Sequence, residues 1–212
     1  MDFIIKRIIN NPIDSNCFVI YSDDSPGCVI VDPGSKDSSE LIHFLKNKNL
    51  GVDYIFLTHE HFDHIWGVND LKSIYNQSKI ITSQLCGDKI INKKKNMSVF
   101  YDQIGFKTYP CDISIESISC SLVWNGMSFY FIKTPGHTDC GMSIMFYNKI
   151  FVGDLIIPEH KTVTKLPSGN KKDLLNSLNF ILEKYKDNDL EVYPGHGNKF
   201  WLSTIYLKNI VE

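Results

Sequence analysis

The sequence has no alanine and only one arginine, Arg7, although 22 of its 212 residues are basic. The other cations are lysines, which are spread among 24 acidic residues and leave a formal net charge of -2. We interpret the missing alanine, together with abundant Asn, Ile and Lys, as a base-composition bias of the genome. Because nucleic-acid binding needs a basic patch, the balanced charge argues against a nucleic-acid partner.

Long apolar runs are also missing. No segment is apolar over the length that a membrane helix needs. Residues 1–11 contain a short apolar run with Lys6 and Arg7, but they lack the long apolar stretch and the small-residue cleavage site of an export signal. We therefore expect a cytoplasmic protein with no membrane partner.

The cysteines show no C-x-x-C spacing, which is the pattern typical of redox and zinc motifs. A chain of 212 residues is also long enough to fold around a hydrophobic core without disulfides. We therefore expect free thiols in a reducing cytoplasm at all six positions, namely Cys17, Cys28, Cys86, Cys111, Cys120 and Cys140.

The first part of the chain alternates strands and helices. With 43% hydrophobic and 22% charged residues, the composition predicts one compact domain over residues 1–212. Short apolar runs bounded by polar or Gly/Pro residues predict strands at 17–21, 28–31 and 53–57. Apolar residues at helical spacing predict helices at 39–48 and 66–75. Residues 96–109 show no clear period, which favours a solvated surface loop over a substrate lid.

The second part begins with hairpins. Strands at 119–124 and 128–132 are joined by Asn125-Gly126, the preferred tight-turn dipeptide, and strands at 142–147 and 150–152 by Asn148-Lys149. A helix at 172–185, a strand at 191–193 and a helix at 199–208 follow. This order predicts two sheets with helices packed outside them.

The clearest chemical signal follows the predicted strand at 53–57. The sequence Thr-His-Glu-His-Phe-Asp-His, residues 58–64, places four metal-ligand side chains within six residues, namely His59, His61, Asp63 and His64. Imidazole and carboxylate groups suit borderline divalent ions such as zinc. An H-x-H pair alone is also typical of a polar surface turn, but the full quartet at a strand end favours a metal site.

Three further residues follow other strands in the same way. His137 lies in Pro-Gly-His-Thr, Asp154 in Val-Gly-Asp, and His196 in Pro-Gly-His-Gly. The glycines allow sharp turns that aim the next side chain inward. Each Pro-Gly-His alone is typical of an ordinary turn, whereas the three together with the quartet indicate one metal centre.

Taken in order, the segments T-H-E-H-F-D-H, P-G-H-T, V-G-D and P-G-H-G resemble the metallo-β-lactamase superfamily over essentially the whole chain. The resemblance implies an α/β fold, a four-layer αβ/βα sandwich of two mixed sheets with helices on the outer faces. It implies that His59, His61 and His137 bind one metal, that Asp63, His64 and His196 bind the other, and that Asp154 bridges both. Asp32 matches the aspartate that supports the metal loop from behind the ligands.

Within this superfamily the motifs are most similar to small glyoxalase II-like thioesterases. Penicillin-degrading members replace the bridging aspartate and are generally exported, whereas Asp154 is present here. Flavodiiron oxygen reductases carry a glutamate where His61 stands and need a flavin domain. The resemblance therefore implies a hydrolase that acts on a small thioester or ester through a metal-bridging hydroxide, which Asp63 and Asp154 orient as the catalytic carboxylates. The expected cofactors are two divalent ions, Zn²⁺ first, with Fe or Mn as alternatives.

Two other functions stay open. Mononuclear iron persulfide dioxygenases share the motif and fill only the His59, His61 and Asp154 type of positions. A non-catalytic metal-bound regulator would not need a bridging carboxylate. The expected partner of the protein is a small-molecule substrate, and the sequence leaves the oligomeric state open.

Several positions depart from the glutathione-cleaving pattern. An arginine-rich segment usually follows the bridging aspartate, and many members add a helical carboxyl-terminal domain that we expect to be missing here. Residues 155–168 contain no arginine, so Lys161 and Lys165 are the candidate substitutes. Trp66 stands where a glycine is common, and Asp139-Cys140 stands where proline-glycine is common; we expect Trp66 in the core and Cys140 to be inert. His43 is predicted on the surface and His160 at the rim of the pocket.

Overall fold

The computed structural model describes residues 2–116, 119–185, 189–205 and 210–211. The chain divides into two compact units, residues 1–114 and 115–212. The structure has two six-stranded sheets. The strands of one lie in the first unit, except that its last strand ends at residue 115, and the strands of the other lie in the second unit. The organisation of residues 1–212 as one domain stays a prediction.

The first sheet is mixed and runs in chain order, β1-β2-β3-β4-β5-β6. Its first three strands pair antiparallel, and β3, β4 and β5 pair parallel. The strands are β1 Ile4–Ile9, β2 Asn16–Tyr21, β3 Gly27–Val31, β4 Gly51–Phe56, β5 Lys79–Ser83 and β6 Ile113–Ile115. The helices are α1 Ser39–Asn47, α2 Phe62–Ile65, α3 Val68–Ile74, α4 Gln84–Ile90 and α5 Ser98–Asp102.

Apolar strands form the centre of the first sheet. Every residue of β2 and β3 is buried, as their unbroken apolar sequences predict for strands covered on both faces. Helix α1 buries Leu41 and Leu45 on its apolar side. The predicted strands and helices of this unit are present to within two residues at each end. The parallel order of β3 and β4 places their carboxyl ends at one edge of the sheet.

The second sheet is also mixed, with the order β12-β11-β10-β9-β8-β7. Only β10 and β11 pair parallel. Its strands are β7 Ser119–Trp124, β8 Met127–Lys133, β9 Met142–Phe146, β10 Lys149–Gly153, β11 Glu191–Pro194 and β12 Phe200–Trp201. Helix α6, Lys171–Tyr185, connects β10 to β11 and packs Leu174, Leu178 and Ile181 into a core with Ile150 and Val192.

Two predictions in this unit need correction. The second hairpin turns at Tyr147-Asn148 rather than at Asn148-Lys149, since Lys149 already pairs with Phe146 and Tyr147 has a φ of 49°. The predicted helix at 199–208 is instead β12 followed by a 3₁₀ helix, Leu202–Thr204, because this segment pairs with β11. Its residues 206–208 lie outside the described residues.

The first hairpin turn is confirmed, with φ values of 46° at Asn125 and 77° at Gly126, as a tight turn of positive φ requires. Residues 96–109 contain the short helix α5 and a buried Asn96, whose Nδ2 donates to the carbonyls of Ile90 and Phe106. The segment is therefore a surface loop, exposed at Phe100 and Ile104, which Asn96 ties to the end of α4.

The prediction of free thiols is confirmed for five of the six cysteines. Among the described residues no disulfide forms at Cys17, Cys28, Cys86, Cys111 or Cys140. Burial raises the pKa of the Cys17 and Cys28 thiols, so both stay protonated at neutral pH. The side chain of Cys120 lies outside the described residues. No helix in the described part of the chain has both the length and the hydrophobicity to cross a membrane.

Candidate metal centre

Four of the predicted ligands lie in the first unit, just after β4. His59 and His61 are buried in the loop, and α2 then carries Asp63 and His64. The His59 ring centroid lies 4.8 Å from that of His61 and 4.3 Å from that of His64. His64 Nε2 lies 3.6 Å from Asp63 Oδ2. The six-residue motif thus brings its imidazoles and a carboxylate together.

Asp32 supports this group from the end of β3, the strand beside β4. Its Oδ1 accepts a hydrogen bond from Thr58 N at 2.8 Å, and its Oδ2 accepts one from Thr58 Oγ1 at 2.6 Å. The same Oδ2 lies 3.2 Å from His64 Nδ1. With 2% of its surface exposed, Asp32 holds the loop and one ligand ring, as the resemblance implies.

These contacts fix the tautomers of two histidines. His64 Nδ1 faces a carboxylate, so it carries the proton and donates. Thr58 Oγ1 uses its only hydrogen towards Asp32, so His59 Nδ1, 3.0 Å away, must donate to it. In both rings the lone pair that could ligate a metal is therefore on Nε2, which is the arrangement found in histidine metal sites.

The other three predicted ligands lie in the second unit and converge on one carboxylate oxygen. Asp154 Oδ2 lies 3.5 Å from His137 Nε2 and 3.6 Å from His196 Nε2. These distances are longer than a good hydrogen bond. They fit neighbouring ligands of one tetrahedral ion, which lie about 3.4 Å apart when each bond is about 2.1 Å. Asp154 Oδ2 therefore lies within ligand-to-ligand distance of both histidines.

Strand ends aim these three side chains. His137 follows β8, Asp154 follows β10 and His196 follows β11, and β10 and β11 are parallel neighbours whose carboxyl ends meet. The chain turns at Gly136 with a φ of 149° and at Gly153 with a φ of 51°. In the third motif the chain bends at Gly195 before the histidine, and the positive φ, 81°, occurs at Gly197 after it.

His137 also has its tautomer fixed. Its Nδ1 lies 2.8 Å from the Val163 carbonyl oxygen, which can only accept, so Nε2 carries the lone pair. The buried donor set of imidazole nitrogens and aspartate oxygens is the set that Zn²⁺, Fe²⁺ and Mn²⁺ accept, with nitrogen favouring zinc and iron. The residues present thus fit the metal ions that the motifs imply.

Next to the last ligand motif, Tyr193 and Glu191 form a buried pair on β11, in which Tyr193 Oη donates to Glu191 Oε2 at 2.7 Å. Burial and the carboxylate beside it raise the pKa of Tyr193. Burial also acts to raise the pKa of Glu191, but hydrogen bonds from Lys199 Nζ and Tyr193 and the charges of Lys199 and Lys149 outweigh it and lower that pKa. The pair stabilises the strand that leads to His196.

The remaining sequence candidates lie outside these ligand groups. His43 is exposed, as predicted, and hydrogen bonded to Asn47. Exposed positions are also found for His160, Lys161 and Lys165. Cys140 is buried, in line with an inert thiol.

Trp66 is not the core residue we predicted, because it is only half-buried. Its ring stacks on Phe106 at 5.6 Å, meets Phe62 and Tyr101 edge-on, and lies 4.8 Å from Lys36 Nζ. It therefore belongs to an aromatic cluster beside α2 rather than to the central core.

Sequence reasoning missed Glu60. This residue lies between His59 and His61 and is buried, and its Oε1 accepts a hydrogen bond from Lys89 Nζ at 2.9 Å. Its position in the sequence could have predicted its burial, because it is a charged residue between two predicted ligands at the end of a buried strand.

Comparisons with known proteins agree with these motifs. The model of the family described as the metallo-beta-lactamase superfamily matches residues 10–196. A probable metallo-hydrolase of Streptococcus pyogenes is 27% identical over 198 residues, which are 91% of this chain and 83% of the relative. A hydroxyacylglutathione hydrolase of Buchnera aphidicola is 28% identical over 213 residues, with 97% of this chain and 74% of the relative covered.

Solved structures give the fold. The B3 metallo-β-lactamase BLEG-1 superposes with a TM-score of 0.84 at 28% identity over 94% of both chains. A di-iron-bound form of TTHA1623 superposes with a TM-score of 0.74 at 22% identity, covering 93% of this chain and 94% of that one. The predicted fold class, the αβ/βα sandwich with two mixed sheets, is confirmed. From its motifs, its fold and the family match over residues 10–196, the chain belongs to the metallo-β-lactamase superfamily.

Proposed function

We propose that the protein is a dinuclear metal-dependent hydrolase that cleaves small thioesters or esters. In this proposal His59, His61 and His137 hold one ion, Asp63, His64 and His196 hold the other, and Asp154 is shared. The ions are Zn²⁺, or alternatively Fe or Mn. The names of the relatives, a probable metallo-hydrolase and a hydroxyacylglutathione hydrolase, support hydrolysis as the reaction type.

The observation that carries the proposal is the position of Asp154. A single oxygen, Oδ2, lies at 3.5 and 3.6 Å from the Nε2 atoms of two histidines that the motifs assign to different ions. With 7% of its surface exposed, this carboxylate needs positive charge nearby to remain ionised. If His137 and His196 belong to different ions, as the resemblance implies, Asp154 is the carboxylate that both ions share.

The chain's own residues then have defined tasks. When bound, the two ions supply Lewis acidity and lower the pKa of water enough for nucleophilic attack at neutral pH. Asp63 and Asp154 orient the attacking water and accept its proton, which then passes to the leaving group. The Nδ1 contacts of His59, His64 and His137 hold those three rings in place. Water adds its hydroxyl group to the acyl carbon, the C–S or C–O bond breaks, and the leaving group departs as a thiol or alcohol.

The proposed substrate class rests on which basic side chains the protein can offer to a substrate carboxylate. Glutathione carries two carboxylates, and arginine binds a carboxylate in a fixed two-point geometry better than lysine does. The only arginine, Arg7, donates from Nε to Asn16 Oδ1 on the β1-β2 pair. Residues 155–168 offer Lys161 and Lys165, both exposed. We therefore propose that the glutathionyl group contributes little to recognition.

Metal content tests the first half of the proposal. Protein purified without chelator should hold about two equivalents of Zn, Fe or Mn by elemental analysis. A stoichiometry of one that stays at one under added metal would refute the dinuclear assignment. A single iron together with oxygen uptake on a persulfide would favour a dioxygenase instead.

Steady-state kinetics test the second half. Lactoylglutathione, a simple thioester of the same acyl group, a lactone and a chromogenic β-lactam form a sufficient panel. The two thioesters should differ in kcat/KM by less than about tenfold. A preference above about a hundredfold for the glutathione conjugate would restore a glyoxalase II assignment, and turnover of the β-lactam alone would favour a lactamase.

A further inference from the structure

A buried lysine contacts the residue that lies between the first two predicted ligands in the sequence. Lys89 on α4 has 7% of its surface exposed, and its Nζ donates to Glu60 Oε1 at 2.9 Å. Glu60 itself is 1% exposed. Lysine and glutamate are almost never buried to this degree unless they are paired, and this contact pairs them.

The place of Glu60 in the chain gives this pair its significance. It is the residue between His59 and His61, whose rings lie 4.8 Å apart. While the two imidazoles lie together, the carboxylate between them turns to α4 and meets Lys89. The Lys89 contact therefore restrains a residue whose backbone is bonded directly to both histidines.

The other support of the same loop acts elsewhere. Asp32 contacts Thr58 and His64, which lie at the two ends of the ligand segment 58–64. The contact between Glu60 and Lys89 lies in the middle of that segment. Together the two supports fix the segment at three points.

Stability alone does not account for a buried ion pair. Removing two charges from water costs as much as their attraction returns, and a well-packed apolar pair often serves the fold equally well or better. What an apolar pair cannot do is hold a side chain by a directed hydrogen bond. A metal site requires such a directed contact, because the distances from metal to ligands may vary by only about 0.2 Å.

We propose that Lys89 is a positioning residue for the metal centre, which acts through Glu60 to fix His59 and His61. The inference rests on the proposed function only in taking these histidines as ligands. It predicts that the pair sets metal affinity separately from its effect on folding.

Four variants separate the two effects, namely Lys89→Met, Glu60→Gln, the double variant, and Lys72→Met as a control. Lys72 is a partly buried lysine of the same unit, paired with Asp112 at 3.4 Å, and that pair includes none of the predicted ligands. Zinc affinity is measured by competition with a chromophoric chelator, the folding of metal-free protein by urea denaturation, and ligand geometry by the visible spectrum of the Co²⁺-substituted protein.

Both single variants should lose stability, because each removes one charge of a buried ion pair and its hydrogen bond. The double variant should regain stability and still bind zinc about 10- to 100-fold more weakly than wild type, with an altered Co²⁺ spectrum. Lys72→Met should change zinc affinity by less than about twofold.

Two results would overturn the assignment of Lys89. Zinc affinity that recovers together with stability in the double variant would mean that the pair serves the fold alone. A double variant that does not fold would lead to the same conclusion. Wild-type protein that binds none of Zn, Fe and Mn would instead refute the proposed function itself.

Discussion

Gly34 packs against the backbone of Asp63, a predicted metal ligand, and leaves no room for a side chain. A Cβ at this position would lie 1.6 Å from the backbone oxygen of Asp63 and 2.8 Å from Asn10 Nδ2. The same Asp63 oxygen accepts a hydrogen bond from Ser15 Oγ, so it is held in place on another side. Gly34→Ala therefore forces a methyl group against the backbone of a predicted metal ligand.

The required movement is large on the scale of a metal site. To reach even the tight limit of 3.0 Å, the alanine methyl and the Asp63 oxygen must separate by about 1.4 Å. Metal ligands tolerate about 0.2 Å. We expect the ion assigned to Asp63, His64 and His196 to be lost while the other is kept, with an overpacking cost of about 1–3 kcal/mol in unfolding free energy.

Elemental analysis and urea denaturation of metal-free protein measure the two effects. Gly51→Ala is the matched control, because a Cβ there would meet only the Pro26 carbonyl at 3.6 Å, an ordinary contact. It should keep both ions and most of its stability. If Gly34→Ala also retained two ions with wild-type affinity, the reasoning that links this glycine to the Asp63 ligand would be wrong.

Three further predictions concern other parts of the centre. Asp154→Ala should lower the content of both ions together, and an elemental analysis that finds one ion fully retained would disprove the shared carboxylate. Asp32→Asn should weaken zinc binding by about 10- to 100-fold, because the amide presents a donor where Thr58 needs acceptors; unchanged affinity in chelator competition would contradict this. Glu191 has a lowered pKa, so its ion pair with Lys199 stabilises the fold above about pH 4.3 and is lost as the pH falls through the folded-state pKa. Glu191→Gln should therefore lower the urea midpoint at neutral pH, by a difference from wild type that shrinks as the pH falls through the folded-state pKa; a difference independent of pH would count against it.

The sequence predicts those elements whose own residues carry the pattern. Leu41 and Leu45 have helical spacing, and α1 buries both. Asn125-Gly126 has the torsion angles that a tight hairpin needs. The seven predicted ligands are recognisable for the same reason, since each motif contains both the turn residues and the side chain that they aim.

What the sequence does not reveal depends on distant partners. Strand β1 lies at the sheet edge with half of its residues exposed and forms by pairing with β2, so its own residues carry a weak signal. Trp66 was misjudged because its neighbours Tyr101 and Phe106 come from a distant segment without a clear period. His137 is held by the Val163 carbonyl, and Glu60 by Lys89 on α4. Neither contact can be predicted from the residues next to His137 or Glu60 in the sequence.

The parallel pairing of β10 and β11 also bears on when the metal can bind. Asp154 and His196 become neighbours only after α6 has crossed between their strands, because parallel strands cannot be joined by a short turn. The unfolded chain therefore keeps these two ligands apart, and closing the intervening loop costs entropy before any metal contact repays it. Metal should bind the native state far better than the unfolded chain, so the thermal midpoint of this protein should rise with metal concentration by mass action.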